Sequence, residues 1–227
     1  MIRDRVFELY AGAPKRDRLH VRGRWKSCPV DAVHRAVPRN GRVLEVGCGH
    51  GLVSAYLALA EPAREVTGVD IDARKIELAA AAQKRLQPNE GTLSFRHEPA
   101  GEVPDGPWDA IVIVDVLYLL SRAAEKALLA ACAAQLAPGG TLVLKETDVR
   151  PRWKHWVAKS QEVVATKIAR ITEGDDLAFT PIADLEGAMK SFSLDTVVRP
   201  VHQGYLHPHT LIVGVRAQRG ATASDAP

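Results

Sequence analysis

The chain is poor in cysteine and lacks the spacings that build cross-links or metal centres. Its 227 residues include three cysteines, Cys28, Cys48 and Cys132, and no two of them form a CxxC pair. A disulfide framework and a cysteine zinc site are therefore not indicated. Scattered thiols are typical of a protein kept in a reducing compartment, so we expect a cytoplasmic protein.

Long apolar runs are also missing. The opening stretch MIRDRVFELY has no apolar centre of the kind found in secretory signals, so no such signal is expected. The longest apolar stretch, residues 110–120, is interrupted by Asp115 and is too short to cross a bilayer. Hydrophobic residues still make up 46% of the chain. That share is ordinary for a globular protein and suffices for one sizeable core.

The net charge is low, but the basic residues are unevenly distributed. A formal charge of +3 is far from the strongly basic balance of most nucleic-acid-binding domains, so no nucleic-acid partner is expected. Residues 1–26 nevertheless hold eight Lys and Arg against three Asp and Glu, and residues 150–170 are basic as well. Two interpretations remain open: solvated helix faces and loops, or a surface for an anionic substrate or an acidic carrier protein.

Hydrophobic periodicity predicts short helices first and then an alternation of strands and helices. A helix near residues 2–10 and another that ends before Pro38 are predicted, with a basic loop through Lys26 between them. Asp72 and Ser121 are predicted N-caps, as is Thr180. Strands are predicted at 43–46, 65–69, 92–96, 108–114, 141–144, 194–199 and 210–216.

The alternation predicts an α/β fold with a mostly parallel sheet and helices on both faces. The sixth and seventh strands are separated by ten residues, too few for the crossover that parallel neighbours require. The seventh strand should therefore run antiparallel to the sixth.

The loop after the first strand carries glycines at alternate positions, in the stretch VLEVGCGHG. Glycine allows a backbone to approach a ligand closely, and this loop lies where open α/β sheets bind their ligands. The dinucleotide fingerprint fits poorly, because Leu52 stands where its last glycine belongs and Glu45 places a carboxylate in the strand. A Gly-Lys-Ser/Thr P-loop is also missing, so a nucleoside triphosphate is not indicated.

Several motifs in order resemble the class I S-adenosylmethionine-dependent methyltransferases. VLEVGCGHG is similar to their first motif, VTGVDID to the second strand, WDAIVIVDVLYLL to the fourth and LAPGGTLVLKE to the fifth. The resemblance implies a Rossmann-like methyltransferase fold with seven strands, N-terminal helices and a helical lid insertion. We expect one domain over residues 1–217, with a cap at 1–38, a lid at 148–180 and a disordered tail at 218–227.

The resemblance also implies S-adenosylmethionine as the cofactor and suggests residues for its adenosine end. Asp70 at the tip of the second strand would accept hydrogen bonds from both ribose hydroxyls. Ile71 would pack against the adenine face. The family often places an Asp after the third strand to bind the adenine amino group, and here either His97 or Glu98 stands in that region.

Further residues are implied for the methionyl end of the cofactor. The amides at the start of the helix after Gly51 would hold the carboxylate, because a helix N-terminus favours an anion. Glu45 would lie near the amino group or order the loop. Asp115, or the backbone beside it, would face the methionyl group or the transferring methyl. The remaining predicted cofactor-binding residues are Gly47, Cys48 and Gly49.

The loop between the last two strands, VHQGYLHPHT, is rich in histidine and is predicted at the rim of the active site. His207 and His209 are candidate catalytic residues, as a general base or an acceptor-orienting pair; a solvated rim loop is the alternative. Tyr118, after the fourth strand, is a third candidate. No metal site is expected, because no carboxylate accompanies these histidines locally.

The predicted reaction is methyl transfer to a small-molecule or lipid-like acceptor, at oxygen. The apolar face of the predicted lid helix and the histidine loop motivate this choice. The basic segments suggest an anionic acceptor, free or bound to an acidic carrier protein. A methyltransferase acting on a protein or RNA, or a non-catalytic cofactor-binding scaffold, is the alternative. The stretch from Asp115 to Tyr118 lacks the prolines expected for methylation of a base amino group.

Overall fold

The computed structural model describes residues 1–147, 180–201, 204–205 and 208–218. The helices are α1 (Ile2–Leu9), α2 (Lys15–Ser27), α3 (Val30–Ala36), α4 (Leu52–Ala60), α5 (Ala73–Gln83), α6 (Arg122–Gln135) and α7 (Ile182–Ser191), with a 3₁₀ turn at Leu117–Leu119. The strands are β1 (Gly41–Val46), β2 (Arg64–Asp70), β3 (Thr92–His97), β4 (Trp108–Val114), β5 (Leu136–Thr147), β6 (Leu194–Pro200) and β7 (His209–Arg216).

The strands form one sheet in the order β3-β2-β1-β4-β5-β7-β6. Strands β1 to β5 are parallel, and β7 runs antiparallel to both β5 and β6. The predicted fold class and the antiparallel seventh strand are therefore confirmed. The strand order reverses between β1 and β4, which places the carboxyl ends of these strands at the crevice where such sheets bind ligands.

Successive residues of the central strands feed two hydrophobic layers. Val43 and Val112 face a cluster built with helices α1 to α4. Leu44 and Ile113, one position further on, face a second cluster with α6 and α7. This alternation follows from the two-residue period of a strand. The apolar run in β4 is thus explained by burial on both faces.

The predicted basic loop through Lys26 is wrong, because residues 15–27 form α2. Among the residues of α2, only Asp17 and Val21 are buried. The helical period was hidden, since the helix is basic over most of its length and buries a charged side chain where a periodicity search looks for an apolar one.

Two of the three predicted helix caps are confirmed. Asp72 accepts a hydrogen bond from the Lys75 amide, and Ser121 accepts one from the Ala124 amide. Thr180 does not cap α7, whose N-cap residue is Pro181. The Thr180 hydroxyl instead donates to the carboxylate of Glu125, a buried side chain on α6.

The predicted lid at 148–180, apart from Thr180, and the predicted tail, apart from residue 218, lie outside the described residues. None of the helices in the described ranges combines the length and the apolar composition needed to cross a bilayer.

Candidate active site

A cavity of about 480 Å³ opens at the carboxyl ends of β1, β2 and β4. It lies where the strand order reverses, the position at which open α/β sheets bind ligands. Gly51 is the N-cap residue of α4. The other predicted cofactor-binding residues and Tyr118 all line the cavity: Glu45, Gly47, Cys48, Gly49, Asp70, Ile71 and Asp115.

The glycine loop forms one wall of the cavity in a conformation that favours glycine. Gly47 and Gly49 have φ angles of 75° and 55°, in the region that side chains rarely adopt. A Cβ on Gly47 would collide with the side chain of Val116. A Cβ on Gly49 would have Lys75 Cδ, 3.9 Å away, as its nearest neighbour. The space beside Gly49 is therefore open to a ligand that lies against the backbone.

The carboxylate of Asp70 is held at the tip of β2 by two backbone amides. Oδ2 accepts a hydrogen bond from the Gly49 amide at 2.7 Å, and Oδ1 accepts one from the Asp72 amide at 2.9 Å. Each carboxylate oxygen has a second lone pair available for another donor. Asp70 thus orients the glycine loop and presents a fixed double acceptor beside the cavity.

Glu98 and His97, the alternatives for the adenine amino group, differ in their surroundings. Glu98 lines the cavity, and its amide donates to the Asp70 carbonyl at 3.1 Å. Nε2 of His97 lies 3.0 Å from the Ile71 carbonyl oxygen. Glu98 is consequently the one of the two that is placed to meet a ligand in this cavity.

Glu45 is a buried carboxylate at the end of β1. It accepts hydrogen bonds from the Ser54 amide at 2.7 Å and from the Ser54 hydroxyl. Burial raises the pKa of Glu45 to about 7, although the Ser54 hydrogen bonds act in the opposite direction. Glu45 therefore both ties β1 to α4 and carries a carboxyl group that titrates near neutrality.

Asp115 lies at the end of β4 between two cations. Its φ of 54° is unusual for a non-glycine residue. Lys145 Nζ lies 2.6 Å from Oδ1, and Arg24 Nη1 lies 2.6 Å from Oδ2. Burial would raise the pKa of Asp115, but Arg24 and Lys145 outweigh burial and hold it below its usual value. The residue is thus a fixed anion at the cavity wall.

Sequence analysis missed both cations and a neighbouring acid. Lys145 is fully buried in β5, and a lysine inside the apolar stretch LVLKE was the available signal. The carboxylate of Glu146 accepts a long hydrogen bond, 3.4 Å, from the Leu117 amide. Burial and the charge of Asp115 raise the pKa of Glu146 to about 8. These residues attach the turn after β4 to β5.

Tyr118 lies within that turn and lines the cavity. Burial and the charge of Asp115 raise the pKa of its phenol to about 12. The phenol is therefore protonated at neutral pH and is suited to donate a hydrogen bond rather than to accept a proton.

Helix α2 supplies a second wall that sequence analysis did not foresee. His20 lines the cavity, and its ring lies 4.6 Å from the ring of His50 in the glycine loop. His50 Nε2 lies 3.1 Å from Asp17 Oδ1, and Arg74 Nη2 donates to Asp17 Oδ2 at 2.9 Å. The Tyr10 hydroxyl donates to the His50 carbonyl at 2.6 Å. The N-terminal helices are thus joined to the glycine loop and to α5.

The two predicted catalytic histidines stay predictions. His209 begins β7 and is 3% exposed, with its ring 5.2 Å from that of Tyr205. It is not among the described residues that line the cavity. His207 lies outside the described residues. In the described part of the chain, no group of three or more His, Cys, Asp or Glu side chains could hold a metal ion.

Comparisons with known sequences identify relatives that methylate oxygen. The ubiquinone biosynthesis O-methyltransferase of Psychrobacter arcticus is 30% identical over 161 residues, 67% of this chain and 60% of that protein. The fatty-acid O-methyltransferase of Mycolicibacterium smegmatis is 35% identical over 114 residues, 49% of this chain and 38% of that protein. The chain spans about half the length of the curated relatives it matches.

A solved structure and a family model agree on the fold. Magnesium protoporphyrin IX methyltransferase from Synechocystis, solved with bound SAH, superimposes with a TM-score of 0.63 at 19% identity, over 94% of each chain. The family model described as "Methyltransferase domain" matches residues 18–192. The chain therefore belongs to the class I S-adenosylmethionine-dependent methyltransferases, and its cofactor is S-adenosylmethionine.

Proposed function

We propose that the chain transfers a methyl group from S-adenosylmethionine to an oxygen of a small, lipid-like acceptor. One observation carries the proposal. A single cavity joins the Asp70 end, suited to a nucleoside, with the end at Asp115 and Tyr118, and apolar residues form much of the wall between them. The relatives named for O-methylation, in ubiquinone biosynthesis and on fatty acids, support the same chemistry.

The residues around the cavity fit the cofactor. Asp70 would accept the ribose hydroxyls, Ile71 would pack against the adenine and Glu98 would accept from its amino group. The open space beside Gly49 leaves room for the methionyl chain, and Glu45 would balance the positive amino group. When bound, S-adenosylmethionine supplies a methyl group on a positively charged sulfur.

The protein's own contribution is mainly alignment, which accounts for several kcal/mol in such displacements. Asp115 is held by Arg24 and Lys145, so the turn that bears Tyr118 has little freedom. The Tyr118 phenol would donate a hydrogen bond that orients the acceptor oxygen. Removal of a proton from the acceptor is assigned to His207 or His209 as a prediction. A carboxylic acid acceptor would need no such base, because it is already ionised at neutral pH, whereas a phenol or an alcohol would need one.

An anionic acceptor agrees with the basic outer surface of α2, where Lys15, Arg16, Arg22 and Lys26 are exposed. An acidic carrier protein and a cytoplasmic location stay predictions. Two alternatives to this function remain. A protein or RNA methyltransferase would give a different methylated product, and a non-catalytic scaffold would give none.

The proposal is tested by incubating the protein with methyl-labelled cofactor and a fractionated cell extract. We expect label in the small-molecule and lipid fractions, in products that carry the labelled methyl group as a methyl ether or a methyl ester. The Asp70→Ala variant is the matched control, because its weaker cofactor binding should strongly reduce the labelling of those fractions. Label confined to protein or RNA, or to amine or carbon products, would contradict the proposal, and cofactor binding without any labelled product would favour the scaffold.

Cofactor affinity should depend on pH through Glu45. The bound cofactor carries a positive amino group, so it favours the ionised carboxylate, and binding must release a proton wherever Glu45 is protonated in the free protein. Because the pKa of Glu45 is about 7 in the free protein, affinity should rise with pH through that value and level off above it. Calorimetry with S-adenosylhomocysteine should show about a tenfold gain between about pH 6 and pH 8.

The Glu45→Gln variant is the control, since its amide oxygen can still accept the Ser54 hydrogen bonds but cannot titrate. Its affinity should be lower at about pH 8 and nearly constant across the range. If the wild-type affinity does not change with pH, or if Glu45→Gln shows the same pH dependence as the wild type, then Glu45 does not control the pH dependence of cofactor binding.

A further inference from the structure

Strand β6 is the last strand on its side of the sheet. Helix α7 covers one of its faces through Leu194 and Met189, yet most of the strand is exposed. Val197 is 50% exposed and Val198 is 36% exposed. A regular edge strand with exposed apolar residues at its centre is a template for pairing with another strand.

The backbone of β6 presents hydrogen-bonding groups to its open edge. The Val201 amide donates to the His209 carbonyl at 2.8 Å, so residues 195, 197 and 199, two apart along the same register, bond to β7. The backbone N–H and C=O groups of the residues in between point away from β7, towards the open edge. Leu194, Thr196 and Val198 each offer an N–H and a C=O at the edge, and Pro200 offers a C=O.

The charges of β6 are arranged symmetrically about Val197. Asp195 and Arg199 lie two residues to either side of it, and both are exposed. Charges on an edge strand usually discourage pairing. Here, an antiparallel second copy related by a two-fold axis at Val197 places each Asp195 opposite the other copy's Arg199. This arrangement favours pairing, because opposite charges across neighbouring strands stabilise a sheet.

The same two-fold axis provides hydrogen-bond partners for the backbone groups at the open edge. Thr196 and Val198 of one copy would exchange hydrogen bonds with Val198 and Thr196 of the other, and Leu194 would donate to the Pro200 carbonyl. Moving the axis by one residue, to Thr196 or Val198, sets Asp195 opposite Val197 or Val201 instead. The axis at Val197 is therefore the one that matches both charge and hydrogen bonding.

The apolar residues of this face would also become continuous. Val197 is paired with Val213 and lies on the same face as Val215, which stands opposite Asp195. Val215 is 40% exposed. Two-fold pairing brings the two Val197 side chains together at a non-hydrogen-bonded position, where cross-strand side chains lie closest. These valines of the two copies would then form one apolar stripe across the seam.

We propose that β6 is a homodimer interface, at which a second copy of this chain pairs antiparallel about Val197 and continues the sheet. The occupant is identified by self-complementarity, since the strand matches its own two-fold image in charge, hydrogen bonding and apolar surface. The proposal is independent of the methyl acceptor and of the transfer reaction.

Sedimentation velocity over a range of concentrations tests this interface. The wild-type chain of 24.6 kDa should sediment with about twice that mass. Asp195→Arg sets arginine opposite Arg199 across the seam, and Arg199→Asp sets two aspartates there, so each should weaken the dimer by about tenfold or more. The double variant Asp195→Arg/Arg199→Asp restores opposite charges and should restore the dimer. Arg39→Asp, 88% exposed on another part of the surface, should leave the dimer unchanged.

Val197→Lys provides a second line of evidence, because two lysines would meet on the axis, whereas Val197→Thr should retain the dimer. Thermal unfolding and S-adenosylhomocysteine binding show that each variant is folded. A wild-type monomer at every concentration would overturn the proposal. A dimer that persists in Val197→Lys would also overturn the proposal, since the contact would then lie on another surface. Failure of the double variant Asp195→Arg/Arg199→Asp to restore the dimer would overturn it as well.

Discussion

Replacing Asp70 by Ala is expected to weaken cofactor binding by about 100-fold. In the proposed binding mode the carboxylate accepts both ribose hydroxyls, and a hydrogen bond to a charged acceptor contributes about 1.5–3 kcal/mol. The same carboxylate accepts the Gly49 and Asp72 amides, so its loss also loosens the glycine loop. Two lost contacts at the lower end of this range correspond to about two orders of magnitude in affinity, measurable by calorimetry with S-adenosylhomocysteine.

Asp72→Ala is the matched control for this measurement. Asp72 is another carboxylate two residues away, and it caps α5 by accepting from the Lys75 amide at 3.2 Å. It is not among the residues that line the cavity. Its loss should lower stability by about 1 kcal/mol and change affinity little. Near-normal affinity in Asp70→Ala, or an equal loss in the two variants, would show that the carboxylate of Asp70 does not hold the cofactor.

Replacing Arg64 by Leu is expected to lower the free energy of unfolding by about 4 kcal/mol. Arg64 is 1% exposed at the start of β2. Its Nε donates to the Pro38 carbonyl at 2.6 Å, and Nη2 donates to the Val37 carbonyl at 2.9 Å. Nη1 donates to the Leu57 carbonyl in α4 at 3.1 Å. Leucine would leave these carbonyl oxygens buried without a donor, and each such loss costs about 1–3 kcal/mol.

Urea unfolding at neutral pH measures this effect, with Arg39→Leu as the control for the loss of one positive charge. Arg39 is 88% exposed and lies 3.7 Å from Glu61, so its loss should change stability by less than about 1 kcal/mol. Arg64→Lys should be intermediate, because lysine keeps the charge but lacks the planar fork. If Arg64→Leu changes stability no more than Arg39→Leu does, the bonds to the end of α3 and to α4 contribute little.

The parts of the site that could be predicted from the sequence are those specified within one short segment of the chain. The glycine loop after β1 and the acidic tip of β2 are local strand-to-loop signals, and the cavity does form between them. Glu45 stood out as a carboxylate inside an apolar strand. These features depend on backbone conformation and two-residue periodicity, which a short segment specifies by itself.

Other parts of the site depend on contacts between distant segments. Arg24 and Lys145 meet at Asp115 from α2 and β5, which are more than a hundred residues apart. Helix α2 itself was missed because its inward side is stabilised by polar contacts, above all those of Asp17 with His50 and Arg74. A periodicity search counts apolar residues, so it cannot detect a helix whose packing depends on ion pairs made elsewhere.

By itself, the sequence determined the alternating strands and helices, the antiparallel direction of the last strand and the glycine loop after β1. Each of these follows from local backbone preferences and from the hydrophobic period of a single segment. The tertiary structure decided which charges surround that loop, because ion pairs and pKa shifts depend on distances across the fold. It also decided which strand stays at the open edge of the sheet, since strand order is set by packing and not by order along the chain.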